Sequence, residues 1–241
     1  MSKRMQGLLL EDRWAPVTSA MGFLEMEAEQ AARACAAWQE EQVAPRGMRL
    51  RVRSVPGSLE QVLSALLPLS EPEVLRRLFL PTRGPWTGYV DNGALGTDAA
   101  GPMSHLALSL GRRSLNVVAV PHSYRWGKGA YGAVVLDMFG PSQPGGHNSL
   151  RALSARHFGS RWVFEESGTP FPFERREQYA RKRERDRFTL DLLREYLGHL
   201  GLAPFEEDFY LPGGAPAWLV ERTGPVLPTH REYTLEEVRD L

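Results

Sequence analysis

The residue types able to do chemistry are densest in "WTGYVDNGALGTDAAG", Trp86 to Gly101, which holds Asp91 and Asp98 at the end of an expected strand. Joined by His122 and by Glu165 or Glu166 from other strand ends, they would make a carboxylate and imidazole site for hydrolysis or group transfer. Two aspartates define a reaction only at a known separation, which spacing alone does not give. The glycines exclude several nucleotide sites. Gly93, Gly96 and Gly101 do not space as G-x-G-x-x-G, and Pro102 follows Gly101 where a P-loop needs Lys. A calcium loop starting at Asp91 would meet Gly93 and Leu95 at ligand positions, leaving too few oxygens. The local reading is a turn at Asp91-Asn92-Gly93, with Thr97 or Asp98 capping the next helix.

Other signatures fail in similar ways. "GPSQPG" around Ser142 closes one residue late for a nucleophile elbow. The six histidines form no H-E-x-x-H or i, i+4 pair, so no metal or other cofactor is expected; His122 and His147 stand out as loop residues beside strands. Cys35, the single cysteine, lies in "AEQAARACAAW" and reads as a buried helical thiol.

A second constellation is the loop "PHSYRWGKGAY", where His122, Tyr124, Arg125, Trp126, Lys128 and Tyr131 crowd one connection. Trp, Tyr and Arg dominate interface hot spots, so Tyr124, Arg125, Trp126, Lys128 and Tyr131 are the binding candidates. The bland alternative folds Trp126 over the sheet edge and leaves the cations to solubility. A third feature is Arg175 to Arg187, with seven basic and three acidic residues. It reads as a nucleic-acid patch or as a solvated helix face with partners three or four apart, and the interspersed acids favour the second.

These groups need positioning elements. Strands are expected in 5–14, 48–55, 86–92, 114–120, 131–139 and 217–222, and two more around a turn in 161–174. Helices are expected in 19–43, 58–69 with Ser58 as N-cap, 71–80 with Pro72 in its first turn, 102–110, 147–159 and a short C-terminal segment. The longest helix is expected over 175–200, where Tyr179, Arg183, Asp186, Leu190, Leu193, Leu197 and Leu200 share a stripe and Arg183 can pair with Asp186. Ten residues between 114–120 and 131–139 suit a long-looped hairpin, too short for a parallel crossover. The fold class is therefore α+β, with a mixed, mainly antiparallel sheet flanked by helices and a long helix in the C-terminal half. The domain is single over 1–241, or divides into packed halves 1–85 and 86–241.

The 29 basic and 29 acidic residues cancel, so no global field draws the chain to nucleic acid or an anionic membrane. No run reaches the ~18 apolar residues of a membrane span, the N-terminus is too interrupted for a signal peptide, and one cysteine permits no internal disulfide. A cytoplasmic location is the expectation.

The order Trp86-x-x-Tyr89-x-Asp91-Asn92, Gly96-x-Asp98, "RWVFEESGTPFPFE" and "YARKRERDRF" resembles an uncharacterised bacterial family over roughly 86–210. Its layout is similar to the α+β immunity proteins of polymorphic toxin systems. That resemblance implies a cytosolic protein-binding module that neutralises a toxin-like partner by occlusion, and it carries no catalytic residues with it. The chain lacks the acidic excess that would steer it to a basic nuclease. The alternative is an enzyme, a hydrolase or transferase, built on Asp91, Asp98, His122 and Glu165.

Overall fold

The computed structural model describes residues 9–124, 128–143 and 146–239. Its strands in chain order are β1 (Ala20–Glu25), β2 (Arg49–Val55), β3 (Leu69–Glu71), β4 (Arg76–Pro81), β5 (Trp86–Asp91), β6 (Ser114–Val120), β7 (Ala133–Phe139), β8 (Ser149–His157), β9 (Trp162–Gly168), β10 (Ala217–Thr223) and β11 (Arg231–Tyr233). The helices are α1 (Ala28–Val43), α2 (Leu59–Ser64), α3 (Ala100–Leu110), α4 (Leu190–His199) and α5 (Leu235–Arg239). Nine strands form one sheet in the order β2-β10-β4-β5-β1-β6-β7-β8-β9, with β11 and β3 as a separate pair. Every neighbouring pair is antiparallel. The chain is α+β, an antiparallel sheet flanked by helices. Strands from 1–85 and 86–241 interleave in it, since β10 lies between β2 and β4 and β1 between β5 and β6. No helix among the described residues is long and apolar enough to cross a membrane.

Side chains alternate across the sheet and bury both faces. Leu24, Phe79, Tyr89 and Val220 pack under α1 and α3. Phe23, Leu78, Leu115, Leu136, Leu153 and Leu219 pack under α2, α4 and the chain around Leu9 and Leu10. Helix α3 comes close enough to β1 that a Cβ at Gly22 would lie 2.7 Å from Met103 Cγ. Ser58 caps α2 in a reciprocal capping box with Gln61, as its spacing foretells. Segment 114–139 forms the expected hairpin of β6 and β7.

Several expected elements differ. Residues 9–12 of the expected first strand form a 3-10 turn, and the strand is β1, taken from the front of the expected helix 19–43. Expected helices 71–80 and 147–159 are strands β4 and β8. Segment 161–174 holds one strand, β9, and then irregular chain through Pro170 and Pro172, which cannot donate to a ladder. The long helix is reduced to α4, started by Thr189, whose Oγ1 accepts from Leu192 N. Its expected first half is two 3-10 turns, Arg176–Ala180 and Glu184–Asp186. In a helix Arg181 would stack on Arg185 and Arg183 on Arg187, like charges four apart. Arg183 is exposed, and the ion pair of Asp186 is with Arg185 Nε at 3.6 Å, not with Arg183.

The irregular chain after β9 is fixed by charge. Arg151 of β8 is 1% exposed and makes a bidentate pair with Glu174, Nε to Oε1 at 2.8 Å and Nη2 to Oε2 at 2.6 Å. Nη2 also reaches Glu166, and Nη1 donates to the carbonyl of Ser167 at 3.1 Å. Glu174 Oε1 accepts from Phe171 N, and its Oε2 accepts from Tyr179 Oη. Replacing Glu174 by Ala leaves a buried guanidinium without its main counter-charge, and the expected cost is about 3–5 kcal/mol. Urea denaturation measures it. The paired change Arg151→Met, Glu174→Leu should restore most of that loss, because the unpaired charge is then gone.

Candidate partner-binding ledge

Antiparallel register brings a set of rings together at one end of β6–β9. His157 of β8 faces Trp162 of β9 as a direct cross-strand partner, with centroids 5.6 Å apart. The β6–β7 connection lays His122 against His157 at 4.4 Å and Tyr131 against His157 at 5.3 Å. Tyr124 stacks on Tyr131 at 4.3 Å, and the hydrogen bond between them pushes the Tyr131 phenol pKa up. Gly132 makes the approach possible: a Cβ there would lie 2.6 Å from Trp162 Cη2 and 2.7 Å from His122 Cβ. The outer rim is apolar and wet, with Tyr131 41% and Phe158 60% exposed.

Gly132 N donates to His122 Nδ1 at 3.2 Å, which requires a lone pair on Nδ1 and so fixes the proton of the neutral ring on Nε2. Desolvation, then the neighbouring His157 and Arg185, hold the imidazole below its ordinary 6.5. With a proton on Nε2 and a donor on Nδ1, His122 has no free lone pair for a metal, and no cluster of three or more His, Cys, Asp or Glu fit to hold one occurs among the described residues.

Of the sequence-derived binding residues, Tyr124 and Tyr131 are in the ledge and Lys128 is exposed on the same connection, while Arg125 and Trp126 lie outside the described residues. His157, Phe158 and Trp162 were missed, because "LRALSARHFG" reads as a helix and a helix would not set His157 opposite Trp162. The signal available was the pair of aromatic-flanked ends "HF" and "RW" about a glycine turn.

The catalytic candidates do not assemble. Asp91 is 1% exposed, and its carboxylate accepts from Gly93 N at 2.9 Å, Tyr89 Oη at 3.1 Å and Asp98 N at 3.2 Å. Burial raises its pKa above the ordinary 3.8, against the lowering by Gly93 N–H and by Arg77, its register partner on β4. Asp98 meets Asp91 through its backbone, and its side chain is exposed. Neither Thr97 nor Asp98 caps α3: the N-cap is Ala99, and Thr97 Oγ1 instead accepts from Asp91 N and donates to the carbonyl of Val17. Asn92 is equally committed, its Oδ1 taking Leu75 N and Arg76 N and its Nδ2 donating to Pro68. Glu165 is exposed on β9, five strand steps from β5 or about 24 Å. His147 is exposed, and Cys35 is buried, its thiol pushed up to about 11 by desolvation. Two hollows of the surface, about 600 and 360 Å³, flank the turn from β1 into α1, and neither is lined by Asp91, Asp98, His122 or Glu165.

Comparison with protein-family models, with curated proteins and with solved structures finds no match to this chain.

The geometry at His122 has a pH consequence. Its folded pKa lies under the unfolded value, so the unfolded chain binds the proton first as pH falls below 6.5. The ledge's contribution is whole above 6.5 and declines below it until the folded pKa is passed. An NMR titration should give a His122 midpoint below 6.5 with the Gly132 amide shifting at the same midpoint, and His157→Ala should move both upward. A midpoint at or above 6.5 would contradict the acceptor role of Nδ1.

Proposed function

We propose that this chain is a binding protein that recognises another protein through the ledge of Tyr124, Tyr131, His157, Phe158 and Trp162. It neutralises that partner by covering it, in the manner of an immunity protein. The observation that carries the reading is a set of mutually packed aromatic rings whose Tyr131 is left 41% exposed, with Phe158, next to His157 in the chain, 60% exposed beside them. Rings held in place before binding lose little conformational freedom on contact, which is what makes aromatic anchors effective. The hydrolase or transferase reading has no comparable support, since Asp91 spends its acceptor capacity on backbone N–H groups and Glu165 sits strands away.

The test is capture of a partner by the tagged chain expressed in its own cells, beside a Tyr131→Ala, Phe158→Ala variant of unchanged melting temperature. A stoichiometric protein partner is expected with the wild type, and its loss with the variant, corresponding to about 2–4 kcal/mol for two anchors. Undiminished capture by the variant, or no protein partner for the wild type, would overturn the proposal.

A further inference from the structure

We infer that the surface received by this ledge is acidic, because a basic segment of the chain is pinned directly beside the rings. The inference rests on the partner-binding reading and names the chemistry of the partner. Glu184 Oε2 accepts the N–H of Phe164 at 3.0 Å, so the turn at Glu184–Asp186 lies along β9 two residues from Trp162. Strand geometry makes that about 7 Å. Arg181, Lys182, Arg183 and Arg185 are exposed there, and Arg161 is exposed in the turn between β8 and β9. Arg185 is near enough to His122 to disfavour its protonation.

The neighbouring carboxylates offset these cations only in part: residues 175–187 hold seven basic and three acidic side chains, and Glu165 is exposed on β9. Glu166 and Glu174 are turned onto Arg151, and Glu184 onto Phe164 N. Asp186 pairs with Arg185 at 3.6 Å, and among the described residues Arg161, Arg181, Lys182 and Arg183 have no carboxylate partner within 4 Å. A chain of zero net charge therefore carries a local positive field next to its apolar rim. Such a field steers an acidic partner and suppresses a basic one. Protein fits better than nucleic acid, because a strand of bases stacks on successive open ring faces and here those of His122, Tyr124, Tyr131 and His157 are turned on one another, with Phe158 as the most exposed ring.

The experiment is fluorescence anisotropy of the full chain with three labelled probes: a peptide of alternating glutamate and leucine, the same peptide with glutamine for glutamate, and a polythymidine oligonucleotide. The glutamate peptide should bind, and weaken as sodium chloride rises from about 0.05 to about 0.5 M. Arg181→Glu with Arg183→Glu should weaken it about tenfold or more, whereas Arg51→Glu with Arg53→Glu, the same charge change on the opposite edge strand, should leave it within about twofold. No binding of the glutamate peptide, equal effects of the two variants, or tighter binding of the oligonucleotide would each overturn the inference. The two readings separate in the cell-capture assay. Loss of the partner with Tyr131→Ala, Phe158→Ala and its retention with Arg181→Glu, Arg183→Glu would leave the ledge standing and remove the acidic partner.

Discussion

A guanidinium taken wholly out of water must have its charge answered and its N–H groups accepted by the protein, and Arg151 meets that demand from two stretches of chain at once. Glu166 and the carbonyl of Ser167 come from β9, and Glu174 comes from the irregular chain beyond it. Glu174 then passes the order outward. Its remaining acceptor capacity fixes Phe171 N and the Tyr179 hydroxyl, which in turn lies 3.2 Å from the hydroxyl of Tyr196 on α4. Tyr196 also takes the N–H of Arg175. The path of the chain from β9 to α4 is thus set by one buried ion pair and its phenols, and that path delivers Arg181 to Arg185 to the side of the ledge.

An open sheet has two edges with unpaired N–H and C=O groups, and both ends of this one are treated alike. On β2 the N–H of Leu50 is taken by Glu40 at 2.7 Å, and on β9 that of Phe164 is taken by Glu184 at 3.0 Å. A carboxylate on an edge N–H removes a donor that a foreign strand would need, and the arginines of β2 add charge against stacking of copies. Recognition by strand addition is disfavoured at both edges. The proposed contact by side chains at the strand ends, where the rings collect, is compatible with that constraint.

How much of this was legible in the sequence depended on how each element is buried. Edge strand β2, with Arg49, Arg51 and Arg53 alternating against Leu50 and Val52, was readable because one side stays in water. Helix α3 was readable from Pro102 and from Gly111, which ends it at φ 63°. Strands β1 and β4 were not. They are interior strands buried on both faces, so their apolar runs carry no period of two, and Leu, Met, Glu and Arg read as helix formers. Strand β8 failed for another reason: Arg151 occupies a core position, and a charge there is intelligible only once Glu174 is seen beside it. Half the ledge was lost with that strand. Tyr124 and Tyr131 stood out by composition, whereas His157 and Trp162 join them only through the register of β8 with β9.

The stretch from Trp86 to Gly101 shows why dense chemistry in a sequence does not by itself mark a site. Asp91 and Asn92 are functional-looking residues whose lone pairs and N–H groups are already assigned, to Gly93, Asp98 and Tyr89 for one and to Leu75, Arg76 and Pro68 for the other. Three of the roughly four acceptor sites of the Asp91 carboxylate are thus filled, and at 1% exposure it is out of reach of a substrate. The ledge is the reverse case. Phe158 and Tyr131 keep much of their surface in water, and of the adjoining exposed cations Arg185 pairs with Asp186 while Arg161, Arg181, Lys182 and Arg183 have no carboxylate within 4 Å among the described residues. Exposed apolar rings and cations can gain contacts that the isolated chain does not make, which is why they, rather than residue types familiar from catalysis, support the proposed binding surface.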